Sequence, residues 1–330
     1  MPQNNRPNSL AFTMTKNALS EKSRDPEHAI SDRDTKRTYK ASIKRFCTWT
    51  KEQNYTREEV LDNPQSYLQQ YADNLKARGL SAATIHTYIA PCCKGLNIPM
   101  QHISKPDRAI RDITRSRGGK NPRGRKDAEK PEYARLVAFQ SAVGLRRAEL
   151  AHLKGEDLQK RDGALYVHVR SGKGGREQWQ KILPRDAGIV AETFKGIGKD
   201  ERVFSADEMK NRIDLHGMRA AHARQTYDYY LTRIKQEPGY REQLQEDLKA
   251  YFREHHDPNG ELDQAAYNRF CLDMTRNQGI YQMRGEAKKL AEANDRPTIY
   301  DRIGLMAVSV FHLAHWRLDV SITNYLSYKV

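Results

Sequence analysis

The stretch 104–126, SKPDRAIRDITRSRGGKNPRGRK, constrains the fold more than any other part of the 330-residue chain. Nine basic residues (Lys105, Arg108, Arg111, Arg115, Arg117, Lys120, Arg123, Arg125 and Lys126) face only Asp107 and Asp112. Gly118, Gly119, Pro122 and Gly124 interrupt regular structure. A single hydrophobic core does not run through such a segment, so the apolar patterns on either side belong to separate units. The segment reads as a basic linker over 105–130, suited to lie along phosphates and release their counterions. A solvated linker without contacts is the alternative.

Ahead of the linker the apolar period is helical. Tyr39, Ile43, Phe46 and Cys47 fall at i, i+4, i+7 and i+8. Asn63 and Pro64 suit the N-cap and first turn of a second helix, which Leu68, Tyr71 and Leu75 continue and Gly79 ends. Ser81 caps a third helix carrying Ile85, Tyr88, Ile89 and Cys92. These signals predict an all-helical unit over 31–104. Residues 1–30 are polar with no sustained period and read as a flexible arm.

Behind the linker, over 131–330, the periods are mixed. Leu136, Phe139 and Val143 mark a helix that Gly144 ends, and a short helix follows through Glu149 and Leu153. Leu165, Val167 and Val169 alternate with other residues at strand period, SGKGGRE turns the chain, and 178–183 returns antiparallel. Residues 215–231 read as a long helix. The expected fold class is α+β, mainly helical, with a small antiparallel sheet in the second unit.

Lys and Arg number 57 against 42 Asp and Glu, a formal charge of +15. That balance points to a polyanionic partner, nucleic acid first, with a basic solvated surface as the bland alternative. No apolar run approaches the roughly 20 residues of a membrane span. The opening MPQNNRPNSLAF lacks the pattern of a secretory signal. Cys47, Cys92, Cys93 and Cys271 match neither a zinc nor a disulfide spacing, so reduced thiols and a cytoplasmic location are expected.

Five short segments then stand in order: GLRRAEL (144–150), SGKGGRE (171–177), LHGMR (215–219), LAHW (313–316) and DVSITNY (319–325). Each alone is a weak signal. Together they supply what phosphoryl transfer needs, which is positioning and positive charge aimed at the phosphate oxygens. Arg146 and Arg219 suit the two non-bridging oxygens, since a guanidinium stays charged and grips phosphate through two hydrogen bonds. A phenol ordinarily titrates near pH 10, so it needs cations and a proton acceptor to act as a nucleophile. His216 lies one turn before Arg219 on the same helix face. His315 precedes Tyr325 by ten residues and suits the same phosphate. Lys173, at the tip of a turn between glycines, is placed to reach a DNA groove and protonate a leaving oxygen.

The set resembles the tyrosine recombinase (phage integrase) family. GLRRAEL is similar to its first arginine box, with Val143 where the family usually has threonine. LHGMR resembles the His-x-x-Arg box. VSVFHLAHW resembles the segment of the second histidine, with Ala314 in place of glycine, and RLDVSITNY resembles the tail that ends in the nucleophile. SGKGGRE resembles the hairpin that carries the family's lysine. TYKASIKRFCTW and LSAATIHTYIA resemble its helical core-binding domain. The likeness covers about residues 33–231 and 303–330.

The resemblance implies a DNA breaking-and-rejoining enzyme with Arg146, Lys173, His216, Arg219, His315 and Tyr325 as catalytic residues and Glu149 in support. Tyr325 forms a 3′-phosphotyrosine link, His216 assists proton movement at the nucleophile, and Lys173 protonates the leaving 5′ oxygen. Neither cofactor nor metal is implied. The partner is double-stranded DNA, on which monomers assemble as a homotetramer. A mobile-element integrase is the expected role. A type IB topoisomerase-like enzyme, a non-catalytic DNA-binding regulator on the same scaffold and a metal-dependent nuclease are the alternatives. Two features depart from the family. Arg219 and His315 are 96 residues apart, so 233–302 reads as a charged, helical insertion with a turn at DPNG, either a protein-contact module or an extra grip on DNA. His255, His256, Asp257 and Glu261 within it read as a solvated turn rather than a metal site. Only five residues follow Tyr325, which leaves open how protomers interlock. His222 and His312 read as packing or phosphate-facing neighbours, and Tyr328 as a fallback nucleophile.

Overall fold

The computed structural model describes residues 9–20, 30, 32–109, 122–161, 163–170, 172, 177–256 and 261–326. The chain divides into two compact units, 1–114 and 115–330. Helices dominate both, and the second adds a small antiparallel sheet.

The first unit contains α1 (Leu10–Leu19), α2 (Arg33–Glu52), α3 (Arg57–Asp62), α4 (Pro64–Ala77) and α5 (Ala82–Leu96). Ser9, Asp32, Thr56 and Ser81 cap α1, α2, α3 and α5 through their side chains. Asn63 stands ahead of α4 but makes no side-chain cap bond; Pro64 opens that helix without forfeiting an N–H bond. Ile43, Phe46, Leu68, Leu75, Ile85 and Ile89 fill the core. Pro91 lies inside α5 and has no N–H for the carbonyl of Thr87. The Ser42 hydroxyl of α2 donates to that carbonyl instead, at 3.4 Å.

Residues 10–19 correct the expected flexible arm. Leu10, Met14 and Ala18 form an i, i+4, i+8 stripe, and all three are buried. The fit against α5 is close: a Cβ on Gly95 would stand 2.9 Å from the Met14 carbonyl oxygen. Asn17 Nδ2 donates to the Gly95 carbonyl at 3.1 Å. The stripe is only three residues long, too short to stand out among polar neighbours in sequence. Residues 1–8, 21–29 and 31 lie outside the described residues.

The second unit begins with α6 (Pro122–Ala128), inside the expected linker. Asp127 accepts the Arg212 backbone N–H at 2.8 Å, so this end of the linker is built into the unit. The rest of it, 110–121, lies outside the described residues. There follow α7 (Ala134–Val143), α8 (Arg147–Leu150), the strands β1 (Leu158–Arg161), β2 (Ala164–Val169) and β3 (Gln178–Lys181), α9 (Ala187–Phe194) and α10 (Leu215–Gln236). The strands pair antiparallel in the order β1-β2-β3, with Val167 opposite both Leu158 and Gln180. Strand β1 escaped the sequence reading because LQKR has no apolar alternation. Leu136, Phe139, Val143, Leu150, Val167, Val190 and Phe204 share one core.

The segment 233–302 holds the end of α10, then α11 (Tyr240–His256), α12 (Gln264–Thr275), β4 (Ile280–Gln282), α13 (Gly285–Ala293) and β5 (Ile299–Asp301). Strands β4 and β5 pair antiparallel across the intervening α13, a two-stranded sheet that sequence reading missed, and DPNG lies outside the described residues. The described residues close with α14 (Arg302–Ala307) running into a π-helical turn, Val308–His312, and α15 (Leu318–Ser321) running into another, Ile322–Leu326. Leu244, Leu248, Tyr251, Met274, Met283 and Tyr300 pack in the same core as Ile303, Phe311, Ile322 and Tyr325. Residues 233–302 therefore contribute to the core that holds the C-terminal helices. Among the described residues no helix is long and apolar enough to cross a membrane. The four cysteines are free, and burial raises the thiols of Cys47 to about 12 and Cys93 to about 11.

Candidate active site

Helix α7 ends because Gly144 takes the left-handed conformation, φ +69°. A Cβ there would also meet the His222 ring at 2.7 Å, so glycine is required twice over. Two residues later α8 begins with Arg146 as its N-cap. The Glu149 carboxylate accepts the Arg146 backbone N–H at 2.7 Å and its guanidinium at 2.5 Å. That carboxylate is 1% exposed and the guanidinium 19%. Arg147 turns away: it donates to Met209 O, Asn211 Oδ1 and Ile213 O, and clamps the loop that leads into α10.

Asp214 caps α10 by accepting the Gly217 N–H at 2.9 Å. Gln140 Nε2 donates to both Leu145 O and Leu215 O, at 2.8 and 2.7 Å, and so ties the first arginine segment to the start of α10. Arg219 is fully buried. Its Nη1 donates to Gly144 O and its Nη2 to Leu313 O, and Nη1 stands 4.0 Å from Glu149 Oε2. Its Nε has no hydrogen-bond partner. Burial pushes the guanidinium below its usual pKa, and the charge of Arg146 adds to this; Glu149 and Tyr325 act in the opposite direction. An arginine under these pressures remains a cation, with N–H groups to spare for an anion.

Tyr325 sits on the final π-helical turn, 4% exposed. Arg224 Nη1 donates to its backbone carbonyl at 3.0 Å. Sequence reading missed Arg224, although it lies eight residues beyond His216 on the same helix face, a spacing that was available. The Tyr325 hydroxyl is 3.1 Å from His315 Nε2, and Arg146 Nη2 is 3.5 Å from that same nitrogen. A guanidinium only donates, so Nε2 presents its lone pair and the phenol donates to it. The His216 ring centroid lies 5.5 Å from that of Tyr325, and Arg219 Cζ lies 5.5 Å from the tyrosine ring.

Arg146, Glu149, His216, Arg219, His315 and Tyr325 thus come together from distant parts of the chain. Lys173 lies outside the described residues, between β2 and β3. The resemblance gives proton movement at the phenol to His216; in the structure His315 Nε2 also stands within hydrogen-bond distance of the hydroxyl. Beneath the site His222 Nε2 meets His312 Nδ1 at 3.3 Å, and Tyr230 Oη meets His312 Nε2 at 3.0 Å. Burial lowers His222 to about 4 and His312 well below the usual range, which makes them a neutral supporting layer. On α11 His255 and His256 stack on Tyr251 and Phe252. Among the described residues no three His, Cys, Asp or Glu side chains gather as a metal site, and Asp257 is outside them.

No protein-family profile matches the sequence, and no curated protein matches it. Among solved structures, one match is the crystal structure of XerA recombinase, 16% identical over 65% of this chain and 84% of that one, with a TM-score of 0.24.

Proposed function

We propose that the chain is a site-specific DNA recombinase that cleaves and rejoins strands through a 3′-phosphotyrosine at Tyr325. The observation that carries this reading is the Tyr325 hydroxyl hydrogen-bonded to His315, with the Arg146 guanidinium against the same histidine nitrogen and Arg219 under the ring. A phenol in contact with a base and flanked by fixed cations is equipped to attack a phosphodiester.

In the proposed reaction Tyr325 Oη bonds to phosphorus as its proton passes to His315, and the bond from phosphorus to the 5′ oxygen breaks. Arg146 and Arg219 bear the charge of the pentavalent phosphate, and Glu149 fixes Arg146. Lys173 gives the departing 5′ oxygen its proton. A 5′ hydroxyl of a partner duplex then attacks the phosphotyrosine and loses its proton to Lys173, while Tyr325 Oη leaves phosphorus and takes its proton back from His315, so no bond energy is lost. The charge of +15 fits a DNA substrate. By resemblance, four protomers assemble on DNA, and the role is that of a mobile-element integrase.

A nicked suicide duplex tests the proposal. The wild type is expected to form a covalent adduct and Tyr325→Phe none. Arg146→Ala should slow the adduct about 10²–10³-fold, the usual loss on removing a charge-stabilising donor, with DNA affinity nearly unchanged. Absence of adduct with wild type, or its persistence in Tyr325→Phe, overturns the reading. Relaxation of supercoils without exchange between two sites would assign the chemistry to a type IB topoisomerase-like enzyme.

A further inference from the structure

His315 is held in an unusual stretch of backbone. Its two neighbours, Ala314 (φ +47°) and Trp316 (φ +53°), both adopt the left-handed conformation. For residues with a Cβ that conformation is strained, so packing elsewhere must impose it. The backbone is held locally by the His315 N–H donating to Ser309 O at 2.9 Å and by the Leu313 carbonyl accepting from Arg219 Nη2 at 2.8 Å.

A further anchor is the Trp316 side chain. Five rings surround it, and all five belong to α11 and α12 of the inserted segment. Tyr251 stacks on it at 6.0 Å between centroids, Phe252 meets it edge-on at 5.6 Å and His256 edge-on at 4.7 Å. His255 and Phe270 complete the set at 6.1 and 5.8 Å. This grip is itself tied to the sheet. The Tyr251 hydroxyl donates to the Trp179 carbonyl of β3, and Arg161 of β1 pairs with Glu254 of α11. A chain of fixed contacts therefore runs from the sheet through α11 to Trp316, one residue from the histidine that touches Tyr325.

We infer that Trp316 is a positioning residue, and that the inserted segment 233–302 exists in the active enzyme to hold it and so set His315 against the Tyr325 hydroxyl. This function of the insertion rests on the proposed chemistry of Tyr325, but the structural coupling is measurable without it. Stacked and edge-on contacts from several rings act together against the strain of two left-handed residues.

Two measurements decide the inference. The first is a single-turnover adduct assay in two backgrounds. Trp316→Ala is expected to slow adduct formation about 30-fold in wild type but less than threefold in His315→Ala, because a residue that acts only through His315 has nothing left to position. Trp316→Phe should recover most of the rate, and DNA affinity should stay within twofold throughout. An equal loss in both backgrounds, or no loss, overturns the inference. The second is amide hydrogen exchange over 313–317, in Trp316→Ala and in Phe270→Ala, whose substitution lies in the insertion. Both should exchange at least tenfold faster there than wild type, while amides of α7 stay protected. If wild type forms no adduct, the recombinase reading fails, and exchange alone decides the coupling: faster exchange upholds it and unchanged exchange removes it.

Discussion

Glu149 is the anion on which two cations depend, and replacing it with glutamine isolates that dependence. The carboxylate is 1% exposed, accepts two hydrogen bonds from Arg146, and faces Arg219 Nη1 at 4.0 Å. Glutamine keeps the shape and can still accept the Arg146 backbone N–H. Its amide nitrogen then points donors at a guanidinium that has only donors. Removing one partner of a buried pair costs about 3–5 kcal/mol, because the remaining charge is left uncompensated. Arg146, 19% exposed, recovers part of this from water, so about 3 kcal/mol is the expected loss for the second unit. Urea unfolding followed by far-ultraviolet circular dichroism measures it, with a midpoint shift of about 1 M or more for an ordinary urea slope. Glu254→Gln, which breaks the more exposed pair with Arg161, should cost less than about 1 kcal/mol and serves as the control. Sulfate supplies the missing anion, so it should stabilise Glu149→Gln more than wild type. A loss below about 1 kcal/mol for Glu149→Gln, or an equal response of both proteins to sulfate, refutes the account of a buried carboxylate neutralising a cationic pocket.

Two further outcomes follow from the geometry. Ala314→Gly removes a Cβ from a left-handed position and should stabilise the second unit by up to about 1 kcal/mol, read as a rise in Tm; a fall in Tm contradicts the strain. His222 is depressed to about 4 from an ordinary 6.5. The unfolded chain therefore takes up a proton before the folded one does. The stabilising contribution is present above pH 6.5 and declines by about 3 kcal/mol as pH falls from 6.5 to 4. His222→Gln should lack this decline, and equal acid slopes for variant and wild type across that window would rule it out.

Much of the fold was legible because caps and periods were strong. Ser81, Pro64 and Gly144 all mark element ends, and Ile43, Phe46, Leu75 and Ile89 lie on the buried faces their spacing indicated. The elements that were missed carry weak local signals. Helix α1 buries only three apolar residues, and β1 is a polar edge strand held by pairing with β2. At the site, residue types and their order singled out Arg146, Glu149, His216, Arg219, His315 and Tyr325, but not which histidine meets the phenol. That depends on the left-handed residues at 314 and 316, a backbone feature invisible in LAHW. The contribution of 233–302 was equally hidden, since its Leu244, Leu248, Tyr251 and Phe252 period announces an amphipathic helix without saying what it covers.

The seat of Tyr325 has a consequence for any assembly of this chain. Its ring packs among Arg219, His216 and His315 of the same polypeptide, and its carbonyl is held by Arg224 of that polypeptide as well. On the proposed reading each subunit therefore brings Tyr325 to its own Arg146, His216, Arg219 and His315 and does not borrow the phenol from a neighbour. A mixed oligomer of two differently inactivated copies would then contain no intact centre, because neither defect lies where the other copy can make it good.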